Sequence, residues 1–535
     1  MLYANSLPAL LATTSTFSKM RMFDDTFAGI HRLAWFDWAL LIPYFGVLAI
    51  LSVYGLHRFD TIHTYFKHRK KATGPAVPFE NLPPVTIQLP LYNERYVLER
   101  LIDEVVKMEY PRELLQIQVL DDSTDDTHQF AEALCERYRN IGHNIEYKHR
   151  TNREGFKAGA LQEGLETATG DFVAVFDADF LPPTDFLTRT IHHFSDPKVG
   201  VVQTRWTYLN SDFNLLTEVQ KVLLDGHFIL EHGARSRAGY YFNFNGTAGI
   251  LRKEMIADAG GWQHDTLTED SDLSYRAQVK GWKFVYVPGV ECPSELPVEM
   301  HGFQVQQFRW AKGLTQCAKK LLPMLCRAKI PFRVKAEAFM HLTPNISYPL
   351  MVIVSALMLP VLIIRFQMGT WEMVLLDFPL IVASFWSLTA FYLIAQRELH
   401  PKDWKRTVYL IPMLMAVGVG LTLNNTRAVL EALFGVQSGF VRTPKYAIEG
   451  AVQKKLAVKK YKRRSGWLPY LELACGSYFL YMCVFAIQSD NYMTLPFLSL
   501  FVAGYYWAGF ATLWQEYKDR RRHHRQSRLE FETAR

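Results

Sequence analysis

The chain has 535 residues, 49% of them hydrophobic and only 21% charged, with a formal net charge of +7. A wholly soluble chain of this length would carry more charge, so a soluble part joined to several membrane spans is expected. The surplus of Lys and Arg is read as a face held against an anionic lipid bilayer, and no nucleic acid is needed to explain it.

In chain order, the first feature is an uncharged run at 38–56, close to the ~20 residues that cross a hydrocarbon core of about 30 Å. No cleavable signal pattern precedes it, so it is expected to act as its own insertion signal. Between 85 and 290 the pattern changes to short β-rich runs alternating with helical periods, as in a mostly parallel α/β sheet. Predicted strands are VTIQLP, LQIQVLDD, NIEYKHR and DFVAVFDADF, and the helices between them begin near residues 94, 125 and 155. Neither GxGxxG nor GxxxxGK[ST] occurs, which argues against a dinucleotide fold or a P-loop enzyme.

Further uncharged runs follow at 345–364, 378–396, 408–426, 474–489 and 491–515, several of them flanked by Trp or Tyr as interfacial anchors are. Basic stretches after the first run, at 454–464 and at the carboxyl end are expected on the cytoplasmic side. The amino terminus is then outside, and the segment from about 61 to 335 is cytosolic. An even number of crossings must separate 335 from 454, so one of the three runs between them does not cross. The run 408–426 holds Pro412, two glycines and NNTR and continues into the amphipathic AVLEALFG, and it is assigned to the membrane interface. The predicted organisation is a first segment at 1–60 with its transmembrane helix, a cytosolic domain at 61–300, amphipathic helices at 301–344 and a channel region at 345–535. Little chain follows the last run, so a carboxyl-terminal nucleotide-sensing domain is not expected. The six cysteines, at 135, 292, 317, 326, 475 and 483, form no CxxC pair, and neither a disulfide framework nor structural zinc is expected.

Each predicted strand ends in polar or acidic residues: LPLYNE, DDSTDD and DAD. In an open parallel sheet those ends border the ligand crevice. Asp177 and Asp179, directly after FVAVF, can hold a hard divalent ion, Mg²⁺ or Mn²⁺, which leaves coordination sites for a diphosphate. Asp121 and Asp122 serve equally well to cap the following helix. In QQFRWAKG, Gln306, Arg309 and Trp310 share one helical face through i, i+3 and i+4 spacing. An indole can cover the apolar face of a pyranose, while arginine and glutamine hydrogen-bond to diphosphate and hydroxyl oxygens.

DDSTDD, GFKAGAL, FDADF, LTEDSDL and QQFRW, in this order, resemble the processive members of glycosyltransferase family 2. The likeness is to cellulose synthases and especially to the cellulose-synthase-like group that makes mannan and glucan backbones, and it runs from about residue 85 to 445. The resemblance implies an α/β fold of GT-A type, inserted in a multispan helical membrane domain. It implies that Tyr92, Glu94 and Asp122 hold the base and ribose of a nucleotide-sugar donor, GDP-mannose or UDP-glucose, and that Lys157 lies near the base or diphosphate. Asp177 and Asp179 would bind the diphosphate and its metal, and Asp270 would be the general base. Trp310 would lie under the terminal sugar of a polysaccharide acceptor, with Gln306, Asn245 and Gly246 beside it and Arg309 on the diphosphate. SGFVRTPKYAIEG at 438–450 resembles the family's gating loop, in which Phe440, Thr443 and Lys445 match while Arg442 departs from the pattern. Thr443 and Lys445 would touch the diphosphate. The product is expected to be a β-linked glycan of mannan, glucomannan or glucan type, translocated across the membrane. A glycolipid-making transferase and a non-enzymatic transporter are the alternatives.

Overall fold

The computed structural model describes residues 33–365 apart from 72, 73, 75 and 76; residues 378–437 apart from 381; and residues 443, 445–449, 466–489 and 492–533. Seven strands form one sheet: β1 (Val85–Leu91), β2 (Leu115–Asp121), β3 (Ile145–His149), β4 (Phe172–Val175), β5 (Val199–Tyr208), β6 (Gly249–Arg252) and β7 (Lys283–Ser294). Their order is β3-β2-β1-β4-β6-β5-β7. The four predicted strands are all present and pair in parallel. β6 runs antiparallel to both β4 and β5, so the sheet is mixed.

The crossover helices Arg95–Val105, Thr127–Asn140 and Phe156–Thr167 match the three helical periods of the sequence. Side-chain alternation explains why both faces are covered. Phe172 and Ala174 join one core with Leu98, Leu101 and Leu134, whereas Val173 and Val175 join the opposite core with Ala158 and Leu161. Fully burying one such aliphatic side chain contributes about 1.5–3 kcal/mol, so strands buried on both faces read as unbroken apolar runs. Gly164 lets the Phe156–Thr167 helix approach the sheet: a Cβ there would stand 2.5 Å from the Gln88 side chain. The chain leaves β1 in one direction for β2 and β3, and returns on the other side of β1 for β4. That reversal opens a crevice at the carboxyl ends of β1 and β4.

Among the described residues, five helices are long and apolar enough to cross a membrane: Trp35–His68, Pro344–Arg365, Phe378–Leu399, Leu468–Gln488 and Leu495–Lys518. The first continues well past the predicted apolar run, so the expected boundary at residue 60 falls inside a helix. Trp404–Gly420 and Thr422–Leu433 form a pair bent by 44°, which together make a broken span or a re-entrant loop. This differs from the interfacial helix expected at 408–426. Leu414, Val417 and Leu421 are buried against Phe303 and Ala508, so the stretch packs among other helices instead of lying with one face on lipid. The basic stretch at 454–464 lies outside the described residues.

Candidate active site

The crevice holds a cavity of about 230 Å³, and every site residue expected from the sequence lines it. β1 delivers Tyr92 and Glu94, β4 delivers Asp177 and Asp179, and the loop before β6 delivers Asn245 and Gly246. Asp270 enters on the first turn of the helix Glu269–Val279. The helix Met300–Arg327 contributes Gln306, Arg309 and Trp310 from one face, as the i, i+3 and i+4 spacing requires.

The two acids of FDADF meet different cations. Lys157 Nζ donates to Asp177 Oδ1 at 2.5 Å and to the Gly246 carbonyl at 2.9 Å. The Asp177 backbone is fixed by its N–H donating to Thr247 Oγ1 at 2.8 Å. Asp179, 7% exposed, is ion-paired with Lys445, whose Nζ also donates to the Glu295 carbonyl at 3.1 Å. Two ammonium groups thus neutralise two carboxylates at the strand end. Among the described residues no group of three or more His, Cys, Asp or Glu is placed to hold an ion by itself. The pair still fits a hard divalent cation, which takes oxygen ligands and completes its shell with water and phosphate oxygens.

Lys445 is brought in from far along the chain by a backbone clasp. The Glu295 carboxylate accepts the N–H groups of Tyr446 and Ala447 at 2.8 and 2.9 Å, and Tyr446 donates its hydroxyl to Glu299 at 3.1 Å. Arg309 donates to Thr443 Oγ1 at 3.1 Å, which ties the same segment to the QQFRW helix. Phe440 and Arg442, the other residues compared with the gating loop, lie outside the described residues.

Asp270 and Glu269 are adjacent carboxylates beside Lys157. Burial, and then the negative charge of Glu269, raises the Asp270 carboxyl to about 7, against the opposing pull of Lys157. Burial likewise raises Glu269. Ser271 N–H donates to Asp270 Oδ1 at 2.7 Å and orients it. Gly246 faces this carboxyl with φ at +78°, and a Cβ added there would stand 3.0 Å from Asp270 Oδ2, so only glycine combines that backbone with that clearance.

Lys312 and Gly313 of QQFRWAKG hold the helix in place. Lys312 is 1% exposed and donates to Glu431 Oε2 at 2.8 Å and to the Val436 carbonyl at 2.7 Å, locking the helix to the bent pair. A Cβ on Gly313 would lie 2.9 Å from the Thr268 backbone N, so the helix reaches the residue that precedes the Glu269–Val279 helix at backbone distance.

Asp122 has a partner that the sequence did not suggest. It lines the cavity, and both its oxygens accept from Arg150, at 2.7 Å each, so its carboxylate is held in a fixed orientation. Sequence reasoning missed several neighbours. Arg153 lies 3.3 Å over the Tyr92 ring, with φ at +49°; Trp206 and Glu269 also line the cavity. Glu269 alone had a sequence signal, its place beside Asp270 in LTEDSDL.

Comparison with known proteins agrees with this geometry. Residues 83–313 match the family model described as glycosyltransferase like family 2. The chain is 34% identical over 452 residues to glucomannan 4-beta-mannosyltransferase 2 of Arabidopsis thaliana, spanning 80% of this chain and 82% of that protein. It is 43% identical over 262 residues to glucomannan 4-beta-mannosyltransferase 1 of Oryza sativa subsp. japonica, spanning 48% of this chain and 50% of that one. In fold it resembles a mannosyltransferase from Pyrobaculum calidifontis solved in complex with GDP-Man and Mn²⁺, with a TM-score of 0.50 and 20% identity, over 74% of this chain and 100% of the other. The chain therefore belongs to glycosyltransferase family 2, in the cellulose-synthase-like group that includes the glucomannan 4-β-mannosyltransferases, and its α/β domain has the GT-A-like fold.

Proposed function

We propose that the protein is a membrane-embedded, inverting, processive synthase that transfers mannose from GDP-mannose to the growing end of a β-1,4-mannan or glucomannan and moves the product across the membrane. The observation that carries this reading is that the donor cavity and a second cavity share Asp270, Trp310 and Gln306 as common wall. The second cavity continues between the apolar helices and is lined there by Tyr348, Tyr392 and Leu421. An acceptor can thus enter from the membrane side and present its end beside the base. The names of the relatives support mannose, and the similarity of one of them over 80% of the chain supports a polysaccharide product.

In the proposed reaction an acceptor hydroxyl oxygen attacks the anomeric carbon of an α-linked donor. Its proton passes to an Asp270 oxygen, the bond to the diphosphate breaks, and a β-linkage forms with release of the nucleoside diphosphate. Asp177 and Asp179 would hold a divalent cation that neutralises the diphosphate as it leaves. Arg309 adds fixed positive charge at the same place, surrounded by Asp177, Glu269, Glu94 and Asp179, and preorganised charge of this kind lowers the barrier without reorganisation at the moment of reaction. Trp310 supplies the flat apolar face for the terminal sugar. With the bent pair taken as re-entrant, five crossings would leave the catalytic domain and the carboxyl tail on one side, and the distribution of Lys and Arg supports the cytosol for that side.

The test is a purified, nanodisc-held protein supplied with Mn²⁺ and either GDP-mannose or UDP-glucose. A β-mannanase-sensitive polymer is expected from the first, and a single-sugar glycolipid would sink the polymerase reading. Trp310→Ala is expected to shorten the product while leaving part of the donor hydrolysis, because the lost contact is with the acceptor.

A pH profile tests the base. The carboxylate form of Asp270 is the active one, so kcat/KM should be complete above the raised pKa of about 7 and lost as pH falls through it. Glu269→Gln removes the neighbouring charge that helps hold this value up. Its acid limb should therefore move to lower pH, and an unmoved limb would separate the pH dependence from Asp270.

A further inference from the structure

A turn of π-helix at His227–His232 brings His227 and Glu231 to the wall of the second cavity, about 400 Å³ in volume. Such turns are rare in regular helices and occur frequently at functional sites. His227 Nδ1 and Glu231 Oε2 lie 2.8 Å apart, and the two side chains keep 29% and 33% of their surface accessible while lining the cavity. Behind them the charges are pinned in a chain. Arg235, 3% exposed, reaches Glu231 at 3.4 Å and Glu337 at 2.8 Å, and Glu337 meets His57 at 2.8 Å.

Burial would raise the Glu231 carboxyl, but the Arg235 charge and the His227 hydrogen bond hold it well below the ordinary range, so it is a carboxylate at neutral pH. Nothing in the transfer step uses it, since it lies on the far side of the wall that Asp270 and Trp310 share with the donor cavity. An ionised, rigidly held carboxylate with an adjacent imidazole can take hydrogen bonds from neighbouring ring hydroxyls, and bonds to a charged acceptor are about twice as strong as neutral ones. Tyr348 and Tyr392 on other parts of the wall offer aromatic faces for the apolar side of a ring.

We propose that Glu231 and His227 form a subsite for the acceptor sugar that precedes the terminal one, recognising a pair of adjacent hydroxyls on that hexose. The subsite selects acceptors of at least two units and keeps the chain in register after each addition. It rests on the reading of the protein as a β-glycan synthase.

The experiment measures transfer by the full-length protein in nanodiscs to methyl β-mannoside, β-1,4-mannobiose and β-1,4-mannotriose, with donor hydrolysis recorded in parallel. In the unaltered protein kcat/KM should rise from the monosaccharide to the disaccharide. Glu231→Gln and His227→Ala should each remove about 10–100-fold from the disaccharide and trisaccharide values, with hydrolysis and monosaccharide transfer held within about twofold. Should Glu231→Gln misfold for want of the Arg235 partner, His227→Ala carries the test, since it leaves the Arg235–Glu337 pair in place. Equal loss for every acceptor and for hydrolysis, no loss at all, or no preference for the disaccharide in the unaltered protein would overturn the subsite. An unaltered protein that neither hydrolyses nor transfers any nucleotide sugar would instead overturn the synthase reading.

Discussion

Asp270→Asn is expected to abolish transfer almost completely while leaving the protein folded and able to bind donor. The amide has the size of the carboxyl and can still accept from Ser271 N–H, which donates at 2.7 Å, so the local geometry has no reason to change. What it lacks is a basic oxygen. Loss of a positioned general base costs about 10²–10⁴ in rate, and calorimetric binding of nucleoside diphosphate should move by less than about twofold if the effect is confined to the chemical step. Near-normal transfer by this variant would remove Asp270 from the mechanism. A loss of donor binding of the same size would make it a structural residue, one that braces Lys157 and the Gly246 turn.

The second large effect is expected at Asp179. Asp179→Ala removes one of the two carboxylates proposed to hold a divalent cation and also takes away the ion-pair partner of Lys445, which is 8% exposed. Transfer should fall by about 10²–10³, the scale for losing one preorganised electrostatic partner of a developing charge. Because the substitution acts on binding too, nucleoside diphosphate affinity should fall with it and should lose its dependence on added Mn²⁺. Chelator should reproduce both effects in the unaltered protein. Mn²⁺-independent diphosphate binding in the unaltered protein would mean that Lys157 and Lys445 neutralise the diphosphate unaided, and that the DAD acids serve them and not a metal.

How much of this was legible depends on where each residue gets its information. The four parallel strands were readable because burial on both faces leaves an apolar run, as in FVAV, ended by acids that cannot be buried unpaired. β6 was not: it is four residues long, and GILR shows no alternation, since its place between β4 and β5 is set by antiparallel pairing with strands distant in sequence. The helical face of Gln306, Arg309 and Trp310 followed from spacing alone. The partners of the acids did not, because Arg150 reaches Asp122, and Lys445 reaches Asp179, only after the sheet and the membrane helices have assembled; no local pattern encodes an ion pair across 266 positions. The run at 408–426 was legible only in part, because the bend that splits it is set by packing among other helices. Gly420, which suggests weakness in an isolated helix, is used there for close packing: an added Cβ would stand 2.8 Å from the Gly504 carbonyl oxygen.

The Glu295 clasp on Tyr446 and Ala447 also has a meaning in time. A ribosome releases the chain from its amino end at about 5–20 residues per second, and domains fold as they emerge. The last strand ends at Ser294, so the sheet, its acids and Asp270 are complete about 8–30 s before Lys445 and Thr443 leave the exit tunnel. During that interval the helices between 344 and 433 must be inserted, and Glu295 holds an acceptor for two N–H groups that do not yet exist. A nascent chain can thus possess a folded sheet with its acids in place before the Glu295 clasp on Tyr446 and Ala447 can close.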